Sequence, residues 1–331
     1  YIRTYVHTYI RTYVHTYIRT YIDISSVVQG SVLGPVLFTI FINDLDLAVT
    51  DSFTQIFKYA DDSKFGRTIR TTADAKALQS SIDNISRWAD KWGMQIHPTK
   101  THVIHFGYNN PHYEYFLNGS RISEVTSTKD LGVIISDSCK PTDQATAVAK
   151  KANGVLAQLR RTMISRDKEV IVKLYKTFVR PILESAGTAW NPWERQDINI
   201  LERVQHRATK LIPSIGQLDY EDRLQICNLT TLEQRRERGD AIDAFKILAG
   251  RTKIDSEKLF SFASQRHDAY TRSVTNKLLV PEKCRLDLRK YFFPNRVVRI
   301  WNDLPLEIRE SQSINEFKNG YDDWTTSCQE I

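Results

Sequence analysis

Hydrophobic positions in the first third of the chain recur with two different periods. Residues 32 to 48 place apolar side chains at helical intervals behind Gly34 and Pro35, which predicts a helix that begins near this pair. Short strands near 53–59 and 64–69 flank Asp61 and Asp62, a pattern that indicates a hairpin with both aspartates at its turn. The sequence therefore predicts a helix followed by a hairpin.

The later pattern changes from mixed to helical. Asp74 to Trp92 forms one apolar helical face, and strands are predicted at 102–106 and 131–135. Beyond Thr142 the helical period continues to about Gly250. Short strands in the first part of the chain, followed by a long run of helices, predict an α+β fold.

Residues 1 to 22 repeat a four-residue unit, YIRT or YVHT. Each unit favours β-structure, but a single strand of this length would extend about 70 Å, well beyond the usual strand. One hypothesis is a strip of tyrosine and arginine that binds nucleic acid. The other is the in-frame translation of a simple DNA repeat, and we expect residues 1–24 not to form a folded domain.

Composition excludes several classes of protein. The 331 residues are 41% hydrophobic and 26% charged, and mean hydropathy is −0.40, which argues against a disordered chain or a membrane protein. We found no signal peptide and no membrane-spanning run, so we expect an intracellular protein of the nucleus or cytoplasm. Four dispersed cysteines have neither zinc-site nor disulfide-scaffold spacing.

The distribution of charge is more informative than the net charge of +7. Residues 43–62 contain five aspartates and one lysine, a net charge of −4, whereas residues 146–180 contain nine cations and two acids, a net charge of +7. The cations that we assign to nucleic-acid binding are Lys150, Lys151, Arg160 and Arg161. A charged helix face exposed to solvent is the alternative.

Two adjacent carboxylates on a turn can approach one ionic centre. Mg²⁺ prefers a few carboxylates together with phosphate oxygens and water, and two such ions catalyse phosphoryl displacement in many enzymes. Asp61 and Asp62 are therefore candidate metal ligands. An exposed turn without a ligand would show the same two residues.

A longer series of motifs resembles the reverse transcriptases of non-LTR (LINE-like) retrotransposons. The stretch VVQGSVLGPVLF at 27–38 and FINDL at 41–45 match that family's turn and helix, and Tyr59-Ala60-Asp61-Asp62 matches its aromatic-Ala-Asp-Asp box. The segment from Trp88 to Lys100 resembles a further family motif, and similar stretches continue to Phe317.

The resemblance implies an RNA-directed DNA polymerase and a role for each matching residue. Its substrates would be an RNA template, a DNA primer and deoxynucleotide triphosphates, with Mg²⁺ or Mn²⁺ as cofactor. Asp61, Asp62 and Lys100 would be catalytic, the two aspartates as metal ligands and the lysine near the leaving pyrophosphate. The template or the nucleotide would be contacted by Gln29, Gly30, Tyr59 and Ala60. The primer end would be supported by Leu131 and Gly132.

One departure from the family limits the activity expected of this chain. The family uses three carboxylates, and the first lies on a strand upstream of Gln29, where this sequence has the tyrosine repeat. We therefore expect an N-terminally truncated reverse transcriptase: a partial palm at 25–138, a basic thumb-like region at 139–250, and a region of unknown role at 251–331. The alternatives are an inactive nucleic-acid-binding remnant and a pseudogene product without a stable fold.

Overall fold

A computed structural model describes residues 11–19, 31–49, 51–263 and 278–329, the first of these ranges by its backbone alone. Gln29 and Gly30 lie outside the described residues. The chain divides after Cys139 into two compact units, His7–Cys139 and a second unit that contains Lys140–Ile331. The architecture is α+β, because small sheets and many helices share the chain.

The first unit is built on a six-stranded sheet. Five strands follow the order β2-β3-β1-β5-β8, and β4 pairs with β1; every pairing is antiparallel except that of β5 with β8. Two small hairpins, β6–β7 and β9–β10, complete the unit. The bounds are β1 Arg11–Arg19, β2 Gln55–Tyr59, β3 Asp62–Thr68, β4 Gln95–Ile96, β5 His102–Phe106, β6 Phe116–Leu117, β7 Ser120–Arg121, β8 Ser123–Glu124, β9 Ser127–Asp130 and β10 Val133–Ser136.

Part of the tyrosine repeat lies inside this sheet. Arg11–Arg19 forms β1 and pairs with β3 on one side and with β5 on the other. This differs from the expectation that the repeat stays outside the folded domain. The physical reason is that β-prone residues over nine positions match a normal strand length, and the strand completes the backbone hydrogen bonds of β3 and β5.

Two helices and two 3₁₀ turns accompany the sheet: α1 Gly34–Phe41, α2 Thr72–Lys91, and turns at Asn43–Ala48 and Pro98–Lys100. Helix α2 begins with a capping box, in which Thr71 and Asp74 satisfy each other's backbone N–H groups. Its predicted apolar face is buried through Leu78, Ile82, Ile85 and Trp88. Trp92 follows the helix and is 42% exposed, so it does not continue the buried face.

The second unit is mainly helical. A short π-helix at Tyr175–Val179 joins α4 to α5. Strand β11 Ser261–Phe262 pairs with β12 Leu279–Val280. None of the helices in the described part of the chain is long and apolar enough to cross a membrane. The helices are α3 Thr142–Thr162, α4 Lys168–Leu174, α5 Arg180–Glu184, α6 Gly187–Trp190, α7 Arg195–Thr209, α8 Tyr220–Cys227, α9 Leu232–Leu248, α10 Ser256–Leu259, α11 Asp287–Lys290, α12 Phe293–Asp303, α13 Leu306–Arg309 and α14 Ile314–Gln329.

One hydrophobic core joins α9 to the helices near the C-terminus. The rings of Phe245 and Phe317 stack with centroids 4.5 Å apart, and Trp301 lies 6.2 Å from Phe317. All three side chains are buried. Residues on both sides of the boundary predicted at residue 250 thus share this core.

Candidate active site

The two candidate metal ligands lie at the tip of the β2–β3 hairpin. Tyr59 pairs with Asp62, so the connection is a turn of two residues, Ala60 and Asp61. Ala60 has a φ of 51°, in the left-handed region that residues with a Cβ seldom adopt. The side chain of Asp61 is exposed, that of Asp62 is half-buried, and Tyr59 is 66% exposed. The turn thus presents two adjacent carboxylates at one end of the sheet.

Lys58 anchors this hairpin to the segment that follows α1. Its Nζ donates to the carbonyl oxygens of Ile42 and Asn43, both at 3.1 Å, and lies 2.9 Å from a carboxylate oxygen of Asp46. The ammonium group thereby satisfies carbonyls at the C-terminal end of a helix, where cations are favourable. The sequence motifs contain this lysine, but their pattern did not indicate that it has this role.

The other aspartates of the acidic stretch have partners within the fold. Asp44 accepts a hydrogen bond from Nε1 of Trp88 at 3.0 Å, and Asp51 lies 2.5 Å from Arg67. Burial alone would raise the pKa of Asp51, but hydrogen bonds from Thr54 and Arg67 lower it. The local charge of −4 therefore overstates the negative field at the turn, because Arg67 lies outside the counted residues and neutralises part of it.

The strand beside the hairpin has no carboxylate. Tyr17 of β1 pairs with Asp62, and Thr16 pairs with Ser63. The sequence of β1 is RTYVHTYIR, without Asp or Glu. Asp23, the acidic residue before Gln29, lies outside the described residues. The strand position next to the aspartates is thus filled by the repeat.

Lys100 lies near the same end of β1, on the opposite side from Asp62. His15 pairs with His102 and Ile18 pairs with Ile96, so residues 97–101 form a loop beside Thr16 and Tyr17. Lys100 itself is in the 3₁₀ turn Pro98–Lys100 of this loop. The topology therefore brings Lys100 to the same end of the sheet as the two aspartates.

The turn between β9 and β10 has the geometry of a type I′ turn. Leu131 has a φ of 45° and Gly132 a φ of 89°, and both central residues of such a turn need positive φ. Asp130, the residue before the turn, forms an ion pair with Lys64 of β3. The predicted strand at 131–135 consequently begins two residues later, at Val133. Leu131 is 54% exposed, so its side chain is accessible at the tip of the hairpin.

The described residues do not complete a set of three carboxylates at this site. Among them, no group of three Asp, Glu, His or Cys side chains that includes Asp61 and Asp62 brings its ligand atoms within 4.8 Å of one another. Carboxylate oxygens are suitable ligands for hard cations, but two of them at an exposed turn do not form a two-metal site. No catalytic step through metal ions therefore follows from the residues described here.

The predicted basic residues lie on α3 in the second unit. Lys150, Lys151, Arg160 and Arg161 are all exposed, whereas Ala145, Ala149, Ala152 and Leu156 are buried on the other side of the helix. Thr142 at the start of α3 donates to Asp197 of α7 at 2.7 Å, which fixes this end of the helix. Arg180, counted in the same basic segment, instead lies 3.8 Å from Glu184.

Comparisons with known proteins find similar sequences for part of this chain, including the hairpin. Residues 2–135 match the family described as reverse transcriptase (RNA-dependent DNA polymerase). The RNA-directed DNA polymerase from mobile element jockey of Drosophila funebris is 28% identical over 200 residues, which is 57% of this chain and 22% of that protein. The probable RNA-directed DNA polymerase from transposon BS of Drosophila melanogaster is 24% identical over 210 residues, with the same shares covered.

The match over residues 2–135 includes the Asp-Asp hairpin, so this part of the chain is similar to the reverse transcriptase family. The relatives are named as RNA-directed DNA polymerases of mobile elements, and this chain is similar to a part of each of them. It spans about 22% of the length of the curated relatives that it matches.

Proposed function

We propose that this chain is part of an RNA-directed DNA polymerase of a non-LTR retrotransposon and that, by itself, it binds a template–primer duplex without extending it. The first unit would supply the back of the polymerase palm, and the helices from α3 to α9 would supply the thumb. The substrates of the whole polymerase would be an RNA template, a DNA primer and deoxynucleotide triphosphates.

Each candidate residue has a role in this proposal. Asp61 and Asp62 would hold Mg²⁺ or Mn²⁺ together with a third carboxylate, and Lys100 would approach the leaving pyrophosphate. Gln29, Gly30, Tyr59 and Ala60 would contact the template or the incoming nucleotide. Leu131 and Gly132, at the tip of the β9–β10 hairpin, would support the primer end. An exposed turn tip suits such a role because it can approach a duplex without loss of core packing.

The observation that carries the proposal is the pairing of β1 with the aspartate hairpin. The matching family has its first catalytic carboxylate on the strand upstream of the Gln-Gly turn, and here that strand position holds RTYVHTYIR. An Asp-Asp hairpin beside a strand without carboxylates can retain the fold of the palm while it lacks one metal ligand. This combination favours binding without catalysis.

The binding half of the proposal can be tested by fluorescence anisotropy with a labelled RNA–DNA duplex at several salt concentrations. We expect salt-sensitive binding by the full chain, because cations that contact phosphates release counterions. Replacement of Lys150, Lys151, Arg160 and Arg161 by Gln should weaken binding and lower the salt slope by about 0.9 for each lost phosphate contact.

A matched control removes four exposed cations elsewhere: Lys76, Arg87, Lys253 and Arg285. This variant loses the same net charge, so it shows what a change of overall charge does without any change on α3. Equal weakening in the two variants would contradict a specific role for α3. Unchanged binding in the α3 variant would contradict it as well.

A further inference from the structure

We propose that His105, His112 and Glu124 form a binding site for a divalent transition-metal ion, with Zn²⁺ as the expected occupant. The three side chains place ligand atoms within 4.8 Å of one another. His105 is 5% exposed, whereas the side chains of His112 and Glu124 are 54% and 40% exposed. An ion could thus enter from the solvent and contact a buried imidazole at the base of the site.

The sheet fixes two of the three residues. His105 is on β5 and Glu124 is on β8, which runs parallel to β5 and pairs with it through Val103 and Glu124. A further backbone hydrogen bond of 2.9 Å, from Val125 to Val103, continues this contact. Ligands on adjacent strands are held more firmly than ligands on a loop.

A buried asparagine positions the third residue. The Asn110 side-chain amide donates to the carbonyl oxygen of Phe106 at 3.1 Å, and its oxygen accepts from the backbone N–H of His112 at 3.1 Å. His112 itself has a φ of 51°, in the left-handed region. Its ring centroid lies 4.7 Å from that of His105.

The donor set is the one that zinc takes in many proteins. Two imidazoles and one carboxylate leave a fourth tetrahedral position open for water. Nδ1 of His112 lies 2.5 Å from a carboxylate oxygen of Glu124. Tetrahedral binding separates two ligand atoms by about 3.3 Å, so these two exposed side chains would move apart by less than an ångström.

The proposed site is distinct from the aspartate hairpin. His105 pairs with Thr12 of β1, whereas Asp62 pairs with Tyr17, five residues along the same strand. That separation corresponds to roughly 16 Å. The two sites therefore lie toward opposite ends of the sheet and do not share ligands.

Isothermal titration of the metal-free full chain with ZnCl₂ tests this proposal. We expect one equivalent of Zn²⁺ to bind with micromolar or tighter affinity and to raise the melting temperature. His112→Ala and Glu124→Gln should each weaken this equivalent by at least tenfold, since the loss of even an outer partner of a metal ligand costs about 10–100-fold. Both residues are exposed, and circular dichroism would confirm that the variants fold.

His97→Ala is the matched control, because His97 lies in the same unit and contacts Thr99 rather than the proposed site. It should bind Zn²⁺ as the unchanged chain does. Titration with Co²⁺ distinguishes binding by the proposed ligands from binding by the free cysteine thiols. Co²⁺ bound by a cysteine would show a thiolate charge-transfer band, and Co²⁺ bound by the proposed ligands would not. The absence of a tight equivalent, equal binding by the His112 and Glu124 variants, or a thiolate band from that equivalent would overturn the proposal.

Discussion

The backbone of Tyr17 pairs with that of Asp62 in the antiparallel ladder between β1 and β3. A residue of the tyrosine repeat thus lies directly beside the second aspartate of the hairpin. Strand β1 contains no carboxylate, and no third carboxylate among the described residues joins the two aspartates. The register therefore shows where a carboxylate can be introduced beside Asp62.

The first prediction concerns a carboxylate placed on β1. Successive strand residues point to opposite faces, and directly paired residues of neighbouring strands share a face. Because Tyr17 pairs with Asp62, Tyr17→Asp, and not Thr16→Asp, places a carboxylate on the face that Asp62 uses. We expect that variant to bind Mn²⁺ at least about tenfold more tightly than the unchanged chain, as measured by electron paramagnetic resonance. The other variant serves as the control, and an equal response in both would contradict the assignment of β1 as the missing-ligand strand.

The second prediction concerns the turn at Leu131 and Gly132. Gly132→Ala should lower the free energy of unfolding by about 1 kcal/mol, because Gly132 has a φ of 89° that a residue with a Cβ disfavours. Gly154→Ala is the control. Gly154 lies within α3 with nothing within 4 Å of an added Cβ, so the same change should raise stability by up to about 1 kcal/mol. Urea denaturation measures the change in the free energy of unfolding, which should be negative for Gly132→Ala and positive for Gly154→Ala. A loss of stability in both variants would contradict the account of the turn.

The third prediction concerns Lys58. Lys58→Met should lower the free energy of unfolding by about 1–3 kcal/mol, since the carbonyls of Ile42 and Asn43 and the carboxylate of Asp46 lose a charged donor. Lys76→Met, on the exposed side of α2, should change stability by less than about 0.5 kcal/mol. Equal effects of the two substitutions in thermal or urea denaturation would show that Lys58 does not anchor the hairpin.

The fourth prediction concerns acid stability at the start of α2. Burial alone would raise the pKa of Asp74, but hydrogen bonds from Arg70, Arg67 and Thr71 lower it to about 2. A carboxyl group whose pKa is lower in the folded state stabilises the fold above its unfolded pKa near 3.8, and the stabilisation is lost as the pH falls toward 2.

Asp74→Ala should therefore reduce stability at neutral pH by about 0.5–2 kcal/mol, the usual effect of a lost cap. It should also remove part of the decrease in stability between about pH 4 and pH 2. Asp90→Ala at the exposed end of the same helix is the control. Identical pH profiles for the Asp74 variant and the unchanged chain would contradict this account of the cap.

Local patterns predicted much of the first unit. The strand at 102–106 was predicted with its observed bounds. The hairpin was also predicted, but β3 begins at Asp62 rather than near Lys64, so only Asp61 lies in the turn. These elements are specified by neighbouring residues: alternation sets the strands, and a two-residue turn needs no distant partner. The apolar face of α2 was likewise visible from its spacing, apart from Trp92.

Features that depend on distant contacts could not be predicted in this way. The repeat becomes β1 only because β3 and β5 offer it backbone partners on both sides. The cluster of His105, His112 and Glu124 is spread over twenty residues and is assembled by the pairing of β8 with β5. The single core that α9 shares with α14 likewise depends on contacts between residues far apart in sequence.

The central proposal is that this chain, which is similar to reverse transcriptases over residues 2–135, carries the aspartate hairpin without a third carboxylate among the described residues to complete a metal site. Primer extension tests it most directly: the full chain is incubated with an RNA template, an annealed DNA primer, deoxynucleotide triphosphates and Mg²⁺ or Mn²⁺. We predict no more extension than with the Asp61→Ala/Asp62→Ala variant. Template-dependent extension by the unchanged chain that this variant loses would contradict the account.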